Sequence, residues 1–168
     1  TQAEFFGKRG ISSHITVCQS KKGEELVAQT FVHIIESGIQ DSNTVVTVME
    51  HVLQTLKREN PALSKVVYRQ DNAGCYHSAT TILACKLLRD RSSLDLHRID
   101  FCDPQGGKGP CDRKVAQIKT HVKQYINQGN SVTTPVELKK AIESNEGING
   151  VRVTLVAVPK TARSKKIK

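Results

Sequence analysis

Lys65-Val66-Val67-Tyr68-Arg69-Gln70-Asp71-Asn72-Ala73-Gly74 is the stretch on which the fold turns. Lys65–Arg69 carries adjacent β-branched and aromatic side chains and is bounded by turn residues, the pattern of a short buried strand. Asp71-Asn72-Ala73-Gly74 then reads as a turn, because Asp and Asn bond their own backbone and Gly tolerates any φ. A buried strand that ends in this way belongs to a sheet covered on both faces, so helices are expected on either side of it.

Outward from this strand the chain alternates between the two periods. Towards the N-terminus, Asp41-Ser42-Asn43 supplies helix-cap residues, and Val45, Val48, Met49, Val52, Leu53 and Leu56 follow at helical spacing until Asn60-Pro61. Before that, Ile11–Gln19 alternates apolar with polar residues, Lys21-Lys22-Gly23 marks a turn, and Glu25–Ser37 reads as the second strand of a hairpin. Towards the C-terminus, Tyr76–Arg89 reads as a helix with Ile82, Leu83 and Leu87 on its apolar face. Leu94–Phe101 alternates as a strand, and Asp103–Pro110 is a loop. An amphipathic helix runs from Cys111 to Asn127 with Val115, Ile118, Val122, Tyr125 and Ile126 in its stripe. Thr133-Thr134-Pro135 starts a shorter helix over Val136–Ser144, and Gly147–Gly150 turns into a last strand, Val151–Val158. The order β-β-α-β-α-β-α-α-β predicts an α/β fold, a mixed sheet flanked by helices.

Composition sets the partner class. A net charge of +9 over 168 residues points to a polyanion, since clustered Lys and Arg release counterions from phosphate backbones. Aromatic residues are 4% of the chain, so the core is built from Val, Ile, Leu and Ala. No apolar run is long enough for a membrane span, and neither a signal-peptide nor a lipidation pattern occurs. The five cysteines are irregularly spaced and form no CxxC pair, which argues against a zinc ribbon or a disulfide framework and for reduced thiols in an intracellular protein.

Two acids stand out. Asp71 follows the buried strand, and Asp112 opens the long amphipathic helix after a loop whose glycines let a backbone or a phosphate approach closely. Carboxylates so placed can hold divalent cations against a phosphodiester. Each also suits a purely structural role, Asp71 as a turn former and Asp112 as a first-turn acid favoured by the helix dipole. Lys108, Arg113, Lys119 and Lys123 lie in or after the glycine loop, and Lys119 and Lys123 share a helix face suited to tracking a DNA strand.

The wording of these segments narrows the choice. Arg69-Gln70-Asp71-Asn72-Ala73-Gly74-Cys75-Tyr76-His77 resembles the Ser-Asp-Asn-Ala/Gly segment that carries the second acid of DDE transposases and retroviral integrases. Gly107-Lys108-Gly109-Pro110-Cys111-Asp112, with Lys119 on the same helix, resembles the segment that carries the third acid in transposon-derived relatives. Phe5-Phe6-Gly7-Lys8-Arg9-Gly10-Ile11-Ser12-Ser13-His14 looks like the family's second strand and its approach. Gln70 departs from the family's frequent Ser, and Gly106 from its relatives' frequent His.

That resemblance implies a ribonuclease H-like catalytic core over residues 1–158, with 159–168 a basic, disordered tail. It implies metal-dependent DNA cleavage and joining in the nucleus, with Mg2+ or Mn2+ held by Asp71 and Asp112, DNA as partner and a possible homo-oligomer. The family's first acid lies on a strand upstream of the part resembled by Phe5–His14, so strand and acid are expected outside this chain, leaving it inactive by itself. Two other readings stay open: a domesticated DNA-binding module without chemistry, and a nuclease of the same fold acting on RNA–DNA hybrids.

Overall fold

A computed structural model describes residues 10–102 and 109–157. Its elements are β1 (Ser13–Lys22), β2 (Glu25–Ile35), α1 (Ser42–Glu59), β3 (Lys65–Asp71), α2 (Ala79–Ser92), β4 (Asp95–Cys102), α3 (Pro110–Asn127), α4 (Pro135–Glu143) and β5 (Val151–Val156). The expected order of elements is therefore the observed one, and the protein is a mixed α/β structure.

The strands form two sheets. In the first, β1 pairs antiparallel with β2 and β2 pairs parallel with β5, giving a mixed sheet in the order β1-β2-β5. Gly23, at positive φ, opens the turn that joins β1 to β2. In the second, β3 and β4 run parallel in register from Lys65↔Asp95 to Asp71↔Cys102, with an irregularity between Val66 and Val67. No ladder joins β1 to β3 among the described residues.

Packing explains why β2 is buried from Thr30 to Ile35. On one face Val32 and Ile34 meet Ile118, Val122 and Tyr125 of α3 and Ala141 and Ile142 of α4. On the other face Ile35 packs on Val48 of α1, and Val45, Met49 and Leu53 of the same helix join Tyr68, Leu88 and Leu94. A strand with helices over both faces needs apolar side chains at successive positions, as its Phe31-Val32 and Ile34-Ile35 pairs supply.

The helix ends follow the cap chemistry. Asp41 accepts the Thr44 N–H at 2.8 Å to start α1. Thr134 and Glu137 form a capping box at α4, with Pro135 in its first turn. At α2 the expectation needs correction. The helix starts at Ala79, capped by Ser78, rather than at Tyr76. Ile82, Leu83 and Leu87 are 47%, 74% and 57% exposed, while Thr81, Leu88 and Ser92 face inward. The Thr81 hydroxyl donates to the Cys75 carbonyl at 2.7 Å, and Ser78 and Ser42 are hydrogen-bonded at 2.8 Å, which fixes the rotation of α2 against α1. Apolar residues lie on more than one side of this helix, so sequence periodicity alone selects no face.

One buried polar pair has a measurable consequence. His33, 1% exposed on β2, lies with Nε2 2.9 Å from Nδ1 of His51 on α1. Burial first, then His51 and His14, lowers its pKa to about 4, and burial does the same to His14. The unfolded chain therefore takes up protons before the folded one does. Stability is complete above about pH 6.5 and falls as pH drops from there towards 4, by roughly 3 kcal/mol per histidine. Urea midpoints measured between pH 7 and pH 4 are expected to fall accordingly; a midpoint unchanged at pH 4.5 would contradict the buried neutral state.

Candidate metal and nucleic-acid site

Asp71 is the last residue of β3 rather than part of the turn, and its side chain is exposed. Alternation along the strand buries Tyr68 and Gln70 and turns Arg69 and Asp71 outward. The turn beyond Asp71 is tied down at several points. Gln70 Nε2 donates to the Tyr76 carbonyl at 3.1 Å, and the Tyr76 and His77 N–H groups donate to the Ala73 carbonyl. The His77 ring meets Phe101 edge-on with centroids 5.4 Å apart, which joins the turn to the end of β4.

Asp112 sits in the first turn of α3, exposed, and its Oδ2 accepts the Gly109 N–H at 3.1 Å. This is the capping role expected of a first-turn acid, and it leaves Oδ1 for another partner. The start of α3 adjoins the free edge of β1, where the Cys111 thiol lies 4.0 Å from the Ile15 carbonyl oxygen. Burial raises the Cys111 pKa, with Asp112 and Cys102 adding to the effect. Cys102 in turn is the register partner of Asp71 and accepts from Arg69 Nε at 3.0 Å. Asp71 thus ends the strand beside Cys102, and Asp112 follows Cys111 at the edge of β1. The helix that begins at Pro110 packs on the three-stranded sheet, with Ile118, Val122 and Tyr125 against Val32 and Ile34.

The basic residues are distributed as follows. Arg113 is exposed in the first turn of α3, and Lys119 and Lys123 are exposed further along it. Lys119 also borders an apolar cavity of about 360 Å³ between β1, α3 and α4. Residues 103–108, Asp103 and Lys108 among them, lie outside the described residues, as do residues 158–168. Asp100, on β4, is paired with Arg98 at 2.9 Å.

Two carboxylates are hard oxygen donors of the kind Mg2+ and Mn2+ take. Among the described residues, no group of three or more His, Cys, Asp or Glu is arranged to hold a metal ion. The donor chemistry fits a divalent cation; the donor number requires a further ligand beyond Asp71 and Asp112.

Residues along the seam between β1 and β3 were not singled out by sequence reasoning. Tyr68 is buried and its pKa is raised, by burial first, with Cys18 adding to this and the Thr16 hydroxyl opposing it. Gln70 Oε1 is buried without a hydrogen-bond partner among the described residues. Tyr76, beyond the end of β3, has its hydroxyl 3.0 Å from Nδ1 of His14 at the start of β1. With Tyr68 beside Cys18 and Tyr76 beside His14, β1 and β3 run in opposite directions across the seam. The alternating pattern of Ile11–Gln19 identifies β1, but nothing in it tells which edge stays open.

No described helix is long and apolar enough to cross a membrane. No curated protein matches the chain in sequence. Residues 1–167 match the family described as a domain of unknown function, DUF8701, and the chain belongs to that family.

Proposed function

We propose that this chain carries a ribonuclease H-like DDE transposase core, which cuts and joins DNA by metal-assisted phosphoryl transfer in the nucleus. The observation that carries the reading is the placement of Asp71 at the C-terminal end of a parallel strand and of Asp112 in a helix first turn. In a sheet of this class, carboxylates from a strand end and a neighbouring helix converge on one phosphodiester. The open seam supports the same reading. A ribonuclease H-like sheet has its first strand between the strands that correspond to β1 and β3, antiparallel to one and parallel to the other. The opposed directions of β1 and β3, which form no ladder with each other among the described residues, are consistent with that arrangement.

Asp71 and Asp112 would hold Mg2+ or Mn2+, with the upstream acid as a third ligand. The cation, when bound, supplies positive charge to the phosphodiester oxygens. The chain's own residues do the rest. Asp112 keeps one oxygen on the Gly109 N–H, which fixes the orientation of its carboxylate. Arg113, Lys119 and Lys123 offer charge along α3 to the DNA backbone, with Lys108 beside them in the sequence. Open strand edges also favour self-association.

Binding tests the electrostatic part. Affinity for duplex DNA is expected to fall steeply with salt, with a log–log slope of about 0.9 per neutralised phosphate. Charge reversal at Lys108 and Lys119 is expected to lower that slope by roughly one unit for each phosphate that is no longer neutralised. Removal of Lys160–Lys168 weakens binding without affecting chemistry. Binding that ignores salt would contradict the phosphate-binding reading. Cleavage separates the enzyme from a domesticated binding module, which binds in the same way but nicks nothing. A nuclease acting on RNA–DNA hybrids would prefer the hybrid over duplex DNA.

A further inference from the structure

Tyr76 joins two segments that the sequence holds 62 positions apart, the start of β1 and the turn after Asp71. Its hydroxyl accepts from Gln40 Nε2 at 3.1 Å and lies 3.0 Å from His14 Nδ1. Gln40 takes one lone pair of the oxygen, and the hydroxyl proton then has His14 Nδ1 within reach as an acceptor in the tautomer that carries its hydrogen on Nε2. His14 is buried and neutral at neutral pH, so it is able to accept. The two rings pack at 5.3 Å between centroids, tilted by 58°.

The backbone of the same residue is held from the other side. Gln70, buried and adjacent to Asp71, donates its amide to the Tyr76 carbonyl at 3.1 Å. The Tyr76 N–H closes the turn on the Ala73 carbonyl at 2.9 Å. Side chain and main chain of one residue therefore fasten the turn both to β1 and to the strand that ends in Asp71. The neighbouring hydrogen bonds act on the far end of the turn: Thr81 on the Cys75 carbonyl and Ser42 on Ser78. The Asp71 carboxylate is exposed at the end of the β3–β4 ladder, and its direction depends both on that ladder and on how firmly the turn that follows is held.

We propose that Tyr76 is a positioning residue for Asp71: through His14 and Gln70 it clasps the turn of residues 72–77 to β1 and sets where the carboxylate points towards a cation shared with Asp112. This rests on the metal-site reading above, and the test keeps the two apart. Gln70, which departs from the family's frequent Ser, takes part in the clasp by reaching the Tyr76 carbonyl.

The test is amide hydrogen exchange by NMR on the native chain and three variants, with Mn2+ line broadening as second readout. Tyr76→Phe keeps the ring and removes the hydroxyl; the Tyr76 and His77 amides are expected to exchange about tenfold faster, the size of one hydrogen bond. Amides of the β2–β5 ladder are expected to keep their native rates. His14→Leu is expected to reproduce this, and His14→Asn, whose amide oxygen can stand in for Nδ1, to restore most of the protection. Broadening by Mn2+ around Asp71 is expected to need several-fold more metal in Tyr76→Phe and His14→Leu, but not in His14→Asn. Native exchange rates at Tyr76 and His77 in Tyr76→Phe, or equal effects of His14→Leu and His14→Asn, would overturn the clasp. If the exchange pattern holds but Mn2+ broadens neither Asp71 nor Asp112 in the native chain, the clasp stands and the metal-site reading falls.

Discussion

In a chain extended upstream by a strand that carries a third acid, Asp71→Asn is expected to reduce Mg2+-dependent nicking of duplex DNA by about a hundredfold or more, a loss of about 3 kcal/mol of transition-state stabilisation. The substitution keeps the shape of the side chain and removes its charge, so the turn of residues 72–77 and the β3–β4 ladder are expected to survive it. Asp112→Asn is expected to be as damaging to cleavage, and to cost a little helix stability as well, because its Oδ2 caps the Gly109 N–H. DNA affinity in the absence of metal is expected to change little in either variant. Undiminished nicking by Asp71→Asn would remove this residue from the chemistry and leave it a strand-end acid.

The second large effect concerns the seam. Residues 1–168 alone are expected to nick no DNA, because two carboxylates hold one divalent ion weakly, and Mg2+ gives up its water only to a nearly octahedral ligand set. Extension upstream by a strand that fills the space between β1 and β3 is expected to raise stability and metal-dependent nicking together. The stability gain comes from the facing edges of β1 and β3, which form no ladder with each other among the described residues and whose backbone groups would gain partners. It comes also from Gln70 Oε1, buried without a hydrogen-bond partner among the described residues. A buried polar atom left without a partner costs about 1–3 kcal/mol, so even partial satisfaction is visible in a urea titration. If the unextended chain nicks DNA in Mg2+, and Asp112→Asn abolishes that activity, a residue within Thr1–Lys168 supplies the third ligand.

Much of the fold is legible in the sequence because the two periods are distinct. The β1–β2 hairpin is marked by its alternation and by Gly23, and α1 by Asp41 and the apolar residues from Val45 onward. What local pattern does not carry is the relation between elements. The outward turn of Ile82, Leu83 and Leu87 follows from the hold of Thr81 on Cys75 and of Ser78 on Ser42, hydrogen bonds that no periodicity within α2 encodes. The assignment of α3 to the three-stranded sheet depends on Ile118 and Val122 meeting Val32 and Ile34, more than eighty positions earlier.

For the site, Asp71 and Asp112 could be singled out because strand, turn and helix start are local features. Their supports could not. His14 reads in the sequence as one residue of an alternating strand and Tyr76 as the start of a helix, and only the antiparallel approach of β1 to β3 brings them within hydrogen-bonding distance. Gln70 looked like a departure from a familiar segment, and its reach to the Tyr76 carbonyl gives it a place in the turn.

The central claim is that Asp71 and Asp112 serve one divalent cation. Anomalous scattering from crystals of the upstream-extended chain grown in Mn2+ tests it directly. The account predicts a manganese peak about 2.0–2.3 Å from a carboxylate oxygen of Asp71 and of Asp112, or two peaks about 4 Å apart with one acid on each. Carboxylates on opposite faces of the structure, or manganese bound away from both, would contradict it.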